Sequence, residues 1–273
     1  MRKFSLLLLL GVMAVFMFGF VNFNGKNEKT PTLLQKEFRK IEAATKSDAP
    51  AAISSYTEIM VVAGGSVSGT VTYAGTVMTP KKLEVTKDVA VCGKEGHVDE
   101  SLIVGANKGI KDVVVSITGI KQGKSMETLG ASFVLDQKVC VYRPHVLVVP
   151  INKPVKILNS DGILHNIHTY SKKNPPKNVA QPKFKKELTE MFAHPEAVAV
   201  KCDVHGWMSA WIIAVDHPYY AVTDANGKFT IADVPAGTYT VEFWQEKLGM
   251  QNKQVTVAAS GTTTVDFVYP AAK

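Results

Sequence analysis

Within Lys201-Cys202-Asp203-Val204-His205-Gly206-Trp207-Met208, the chain sets out a thiolate, an imidazole and a thioether at Cys202, His205 and Met208. Few chemistries use these three groups together. Thiolate and imidazole suit copper in both oxidation states, and a weak axial thioether tunes its potential. Zinc prefers Cys, His and carboxylates, so a methionine argues against it. A mononuclear site of this kind needs a second imidazole. Asp161-Gly162-Ile163-Leu164-His165-Asn166-Ile167-His168 offers two candidates, His165 and His168.

The two stretches together resemble the cupredoxin (blue copper) family. Its members carry an upstream Asp-x-x-x-His-Asn segment and a downstream Cys–His–Met loop, and the short spacing here is similar to that of the amicyanin type. The resemblance spans roughly Val139–Val215. It implies a Greek-key β-sandwich that holds one copper per chain through His165, Cys202, His205 and Met208. It also implies single-electron transfer between a redox donor and acceptor, with no enzymatic step, the electron leaving by the edge of His205. His165 is preferred over His168 because its dipeptide with Asn166 matches the family. Asn166 is then expected to hydrogen-bond the cysteine loop, and Trp207 to form an apolar collar around the metal. Such outer bonds orient ligands and tune the metal. His168 and His145 are additional metal candidates, read chiefly as a neighbouring polar residue and a structural histidine. His97, His194 and His217 are read as surface residues.

The chain has three cysteines. If Cys202 is a ligand it cannot share a disulfide, which leaves Cys92 and Cys140. Export would place them in oxidising surroundings, so a Cys92–Cys140 bridge is expected, from a loop to the Ala131–Tyr142 strand.

The elements that must carry these residues are strands. Val and Thr recur and Gly and Pro punctuate at short intervals, which favours an all-β chain. The 273 residues allow one large or two modest domains. Arg2-Lys3 followed by an uncharged run from Phe4 to Gly25 has the form of an export signal or an uncleaved anchor. Residues 1–25 are therefore expected to direct the chain to a periplasmic or other extracytoplasmic site, with membrane anchoring through this segment as one outcome. Residues 26–63 read as a linker, with a short helix opening at Thr30-Pro31.

Residues 64–216 read as the copper domain. Ser66–Tyr73 alternates as a strand. Strands follow at Val113–Ile120, Ala131–Tyr142, Val146–Asn159, Lys185–Phe192, Ala197–Cys202 and Ala210–Val215, and Ser171–Pro182 reads as a loop. After Asp216, Ala221–Ile231 reads as a hairpin with an Asn-Gly turn. Thr223-Asp224 to Phe229, then Val234-Pro235-Ala236-Gly237-Thr238-Tyr239, resembles the carboxypeptidase regulatory-like module, a small transthyretin-like β-sandwich expected at 217–270. That module normally opens with a Gly-x-Val-x-Gly-x-Val strand. The one stretch of this kind lies at Gly65–Val71, so strands within 64–120 are candidates for sharing with it.

The net charge is +7. Lys172, Lys173, Lys177, Lys183, Lys185 and Lys186 form a run without an intervening acidic residue, suited either to a solvated loop or to docking an acidic redox partner. No basic-aromatic interleaving points to nucleic acid, and no nucleophile–base set or phosphate-cradling loop points to an enzyme. Two further classes stay open: a copper carrier, and an envelope adhesion or carbohydrate-binding module with a relict copper motif.

Overall fold

The computed structural model describes residues 55–271. The expected export segment, the first part of the linker and the helix at Thr30-Pro31 lie outside them. Among the described residues no helix is long and apolar enough to cross a membrane.

In chain order, β1 (Gly65–Tyr73) is followed by a one-turn helix, α1 (Val89–Cys92), and by β2 (Val114–Thr118). Next come β3 (Phe133–Lys138), β4 (Val141–Arg143), β5 (Val146–Pro150) and β6 (Val155–Asn159). β7 (His165–Tyr170), β8 (Lys177–Gln181), β9 (Glu187–Glu190), β10 (Glu196–Lys201) and β11 (Ser209–Val215) follow. The chain closes with β12 (Tyr220–Val222), β13 (Lys228–Val234), β14 (Gly237–Gln245), β15 (Gly249–Val257), β16 (Thr262–Thr264) and β17 (Phe267–Tyr269).

The strands pack as two β-sandwiches. In the first, the sheets run β9-β6-β3-β4 and β8-β7-β10-β11-β5. Alternate residues point inward, so Leu135, Ile157, Ile167, Val198, Val200 and Ile212 fill a shared core. In the second, one sheet runs β12-β2-β14-β15 and the other β13-β1-β16, with β17 also on β1. Val67, Val71, Ile117, Phe229, Val241 and Phe243 are buried between them.

The second sandwich is discontinuous in sequence. β1 pairs with β13, β16 and β17, and β2 pairs with β12 and β14. The first sandwich is thus inserted between β2 and β12. Within 64–120, residues 65–73 and 114–118 pair with strands more than 100 residues downstream. A satellite cluster of Val114, Val146, Ile213 and Val215, with Trp211 and Trp244 against it, joins the two sandwiches.

Three local expectations also change. Ser171–Pro182 holds β8, an edge strand that its Asn, Pro and Lys content concealed. Such composition is tolerated where one side of the strand is free. The Asn-Gly turn forms, with Asp224 accepting from the Gly227 N–H at 3.0 Å, but β12 and β13 enter opposite sheets, so it is a corner and not a hairpin. Gly227 has φ +75 there, and a Cβ would meet the Val71 carbonyl oxygen at 2.2 Å. Finally, Ala131–Tyr142 is two strands broken at Val139-Cys140, both at positive φ.

Candidate metal centre

β10 and β11 are adjacent antiparallel strands, with Lys201 opposite Ser209. Residues 202–208 are therefore the tight loop between them. Cys202 N–H donates to the Met208 carbonyl at 3.3 Å, and Met208 N–H to the His205 carbonyl at 2.9 Å. β7 lies beside β10 and begins at His165. Period-two alternation turns His165 and Ile167 to the core and His168 to the other face. The sheet thus chooses between the two histidines: His165 is fully buried, and His168 is partly exposed.

His165, Cys202 and His205 form a buried triangle. The two Nδ1 atoms stand 3.1 Å apart, and Cys202 Sγ lies 3.9 Å from His165 Nδ1 and 3.8 Å from His205 Nδ1. Donors each about 2.0–2.3 Å from one ion stand about 3–4 Å apart, which is the size of this triangle. Both outer nitrogens meet carboxylates: His165 Nε2 lies 2.9 Å from Asp161 Oδ2, and His205 Nε2 2.9 Å from Asp88 Oδ2. A carboxylate accepts, so each Nε2 carries a proton, and a ring that gives up its Nδ1 proton turns a lone pair inward. Two facing lone pairs beside a sulfur are stabilised by a cation, so the donor set fits a metal ion.

Without an ion, an Nδ1–H can take its place and donate to the Cys202 sulfur. Burial opposes ionisation of the Cys202 thiol, but hydrogen bonds from His165 and His205, and from the Asn166 and His205 backbone, bring it down to about 6. Burial also works against a charged His165. Its bonds to Asp161 and Cys202 outweigh that and raise it. Asp161 is held below its usual value despite burial by His165 and by the N–H groups of Cys140 and Val139. That last pair of bonds explains the left-handed backbone at Val139-Cys140: the turn presents two N–H groups to one carboxylate.

Met208 is buried in the same core cluster as Cys202, and its backbone bonds to Cys202 and His205. Asn166 accepts from the N–H groups of Asp203 at 2.6 Å and Val204 at 3.3 Å, and so clasps the cysteine loop to β7. Trp207 packs 5.2 Å from the His205 ring and donates to the Cys140 carbonyl at 3.0 Å. His168 lies outside the site, its Nδ1 bonded to Asp203 and its ring stacked on Tyr170. His145 is buried with Nε2 on Glu246 at 2.5 Å, bridging the sandwiches, and joins no metal-sized donor group among the described residues. His97 and His217 are buried, contrary to expectation. His97 accepts no surface role: it bonds the Cys92 carbonyl and stacks near Trp207.

The excursion between β1 and β2 supplies what no local motif announced. Asp88 caps His205, which is fully buried, so the expected exposed histidine edge is covered. Cys92 and Cys140 are joined in a disulfide. Cys92 ends α1, where a loop after a strand was expected, and Cys140 sits in the β3–β4 turn rather than within a strand. The bridge ties the covering segment to the sheet.

The lysine run is divided by the register. His165 pairs with Gln181 and Thr169 with Lys177, so β8 runs back toward the metal end. Lys183, Lys185 and Lys186 follow at that end, around Phe184, which is 81% exposed. Lys172, Lys173 and Lys177 lie at the other end. Four residues of strand put the two groups roughly 13 Å apart along the sheet. Lys177 is also ion-paired with Glu190.

The carboxypeptidase regulatory-like domain profile matches residues 209–270. No curated protein matches the sequence. Among solved structures, a copper-containing nitrite reductase from Thermus scotoductus SA-01 is similar at 18% identity and TM-score 0.27, over 31% of this chain and 22% of that one. A purple cupredoxin from Nitrosopumilus maritimus is similar at 16% identity and TM-score 0.27, over 31% of this chain and 100% of that one. An oxidised amicyanin variant is similar at 17% identity and TM-score 0.28, over 42% of this chain and 93% of that one. The chain thus spans about a fifth of the reductase. It is an all-β protein of two sandwiches, one carrying a regulatory-like module and the other a buried His–Cys–His triangle.

Proposed function

We propose that this chain is an exported single-electron carrier with one mononuclear copper held by His165, Cys202 and His205, and Met208 as weak axial donor. The triangle of inward-facing donors is the observation that carries the reading. Copper is favoured over zinc because the nearby carboxylates are used on the outer nitrogens and the remaining buried neighbour is a thioether. When bound, copper would supply one-electron cycling at this site. Asp161 and Asp88 hold the imidazoles in one tautomer, Asn166 holds the loop, and burial excludes water, so little need rearrange between oxidation states. The disulfide supports an oxidising compartment. An acidic donor or acceptor would meet Lys183, Lys185 and Lys186 at the metal end.

Copper(II) loading tests this. An intense thiolate-to-copper visible band is expected, absent in Cys202→Ser. Weak tetragonal spectra from the wild-type protein would sink the reading. A copper-delivery role is favoured by a different observation, the Asp88 cover over His205. Rapid loss of copper to a chelator, without a reversible potential, would select it.

A further inference from the structure

Cys92 and Cys140 do more than close a loop at a distance from the site. Their sulfurs and a ring nitrogen of His205 all lie within 4.8 Å of one another, and all three residues are buried. Cys140 also lies within that distance of Asp161 and His165 donor atoms. The half-cystines therefore pack against the first centre from behind. They come from two irregular pieces of backbone, the end of a one-turn helix and a strand turn. Both half-cystines are fully buried, while Val89, at the start of the same one-turn helix as Cys92, is 61% exposed.

We propose that Cys92 and Cys140, once their disulfide is reduced, form a second site that takes copper(I), with His205 as third donor. The inference extends the copper reading of the neighbouring centre. In the reductive step a dithiol partner exchanges with the Cys92–Cys140 bond. The partner's two thiols become one disulfide, and two electrons and two protons pass to Cys92 and Cys140. Copper(I) then forms two copper–sulfur bonds and one copper–nitrogen bond to His205, displacing both thiol protons and the His205 ring proton, which passes to Asp88, with no change in its oxidation state. Paired thiolates select copper(I) by softness, and neither sulfur can serve as a thiolate while the bridge is closed. The dithiol state would give the protein a second copper next to the first, with His205 bridging them as an imidazolate, one ring nitrogen to each copper and its former N–H proton released to Asp88.

Full-length protein, with the disulfide intact or reduced under native conditions by a phosphine, is titrated with copper(I) buffered by bicinchoninate. Wild type should bind one copper(I) when oxidised and two when reduced. Cys202→Ser should bind none oxidised and one reduced, and the Cys92→Ser/Cys140→Ser double variant one under both conditions. Iodoacetamide footprinting of reduced wild type needs no variant: added copper(I) should protect Cys92 and Cys140. Equal copper uptake by both wild-type states, unprotected Cys92 and Cys140, or a bridge that resists native reduction would each overturn the proposal. Uptake by reduced Cys202→Ser with none by oxidised wild type would instead overturn the first centre and leave the second standing.

Discussion

Asn166→Ala removes the clasp between β7 and the cysteine loop, and its cost follows from the bonds lost. The 5% exposed side chain accepts from Asp203 N–H and Val204 N–H and donates to Asn178 Oδ1 at 2.7 Å and Asp203 Oδ2 at 3.3 Å. An ordinary bond nets about 1 kcal/mol, and a buried partner left unsatisfied costs about 1–3 kcal/mol. Asp203 is exposed, so water can take over its N–H. Val204 is half-buried and bears the larger penalty. The sum is about 2–4 kcal/mol, to be read as a lowered urea midpoint of the metal-free protein. Copper should still bind, because the donor triangle is untouched, but its EPR lines should broaden as the loop samples several geometries. Asn166→Asp keeps both N–H acceptors yet sets a carboxylate against Asp203, so it should recover only part of the loss. An Asn166→Ala protein within 0.5 kcal/mol of wild type, roughly the effect of a neutral surface change, and with unbroadened lines would refute the clasp.

Met208→Leu should keep the visible band and raise the potential in voltammetry. A lost band would make the thioether an essential ligand. His168→Ala should leave the spectrum unaltered, since its ring faces away from the triangle. Neutralising Lys183, Lys185 and Lys186 together should slow electron transfer with an acidic partner at low salt, whereas Lys172 with Lys173 should matter little. The reverse ranking in stopped-flow would move the docking surface. The Cys202 thiol is lowered from 9.0 to about 6 in the fold. Between about pH 6 and 9 the unfolded chain therefore binds the extra proton, and metal-free stability should rise with pH across that window, level above it, and be lost as pH falls through 6. Melting-temperature differences between wild type and Cys202→Ala that stay flat from pH 6 to 9 would contradict this.

Much of the centre was legible because its residues are local. Cys202, His205 and Met208 share one loop, and Asn166 adjoins His165. The disulfide followed from setting Cys202 aside. Asp88 was not legible: it sits 117 residues from the histidine it caps, in no motif, and only tertiary packing pairs them. The placement of the lysine run was not legible, because sequence proximity ignores direction. A strand that runs along the sheet carries its two ends to opposite sites. The alternation of β1 showed a strand but could not name its partners, since period two reports burial and says nothing of pairing.

The insertion of one sandwich into the other sets an order of assembly. β2 leaves the second sandwich at Thr118 and the chain re-enters at Tyr220, where Tyr220 pairs with Ser116. During synthesis β1 and β2 emerge and wait, without the sheet partners β12–β17, until the whole inserted sandwich has been made. An unstructured insert of about 100 residues would cost about 4 kcal/mol of closure entropy. A folded insert presents its two ends side by side and removes most of that cost. The inserted sandwich thus acts as a template for its host. Anything that holds it folded, a bound ion included, should hasten completion of a β-sandwich that never touches the ion.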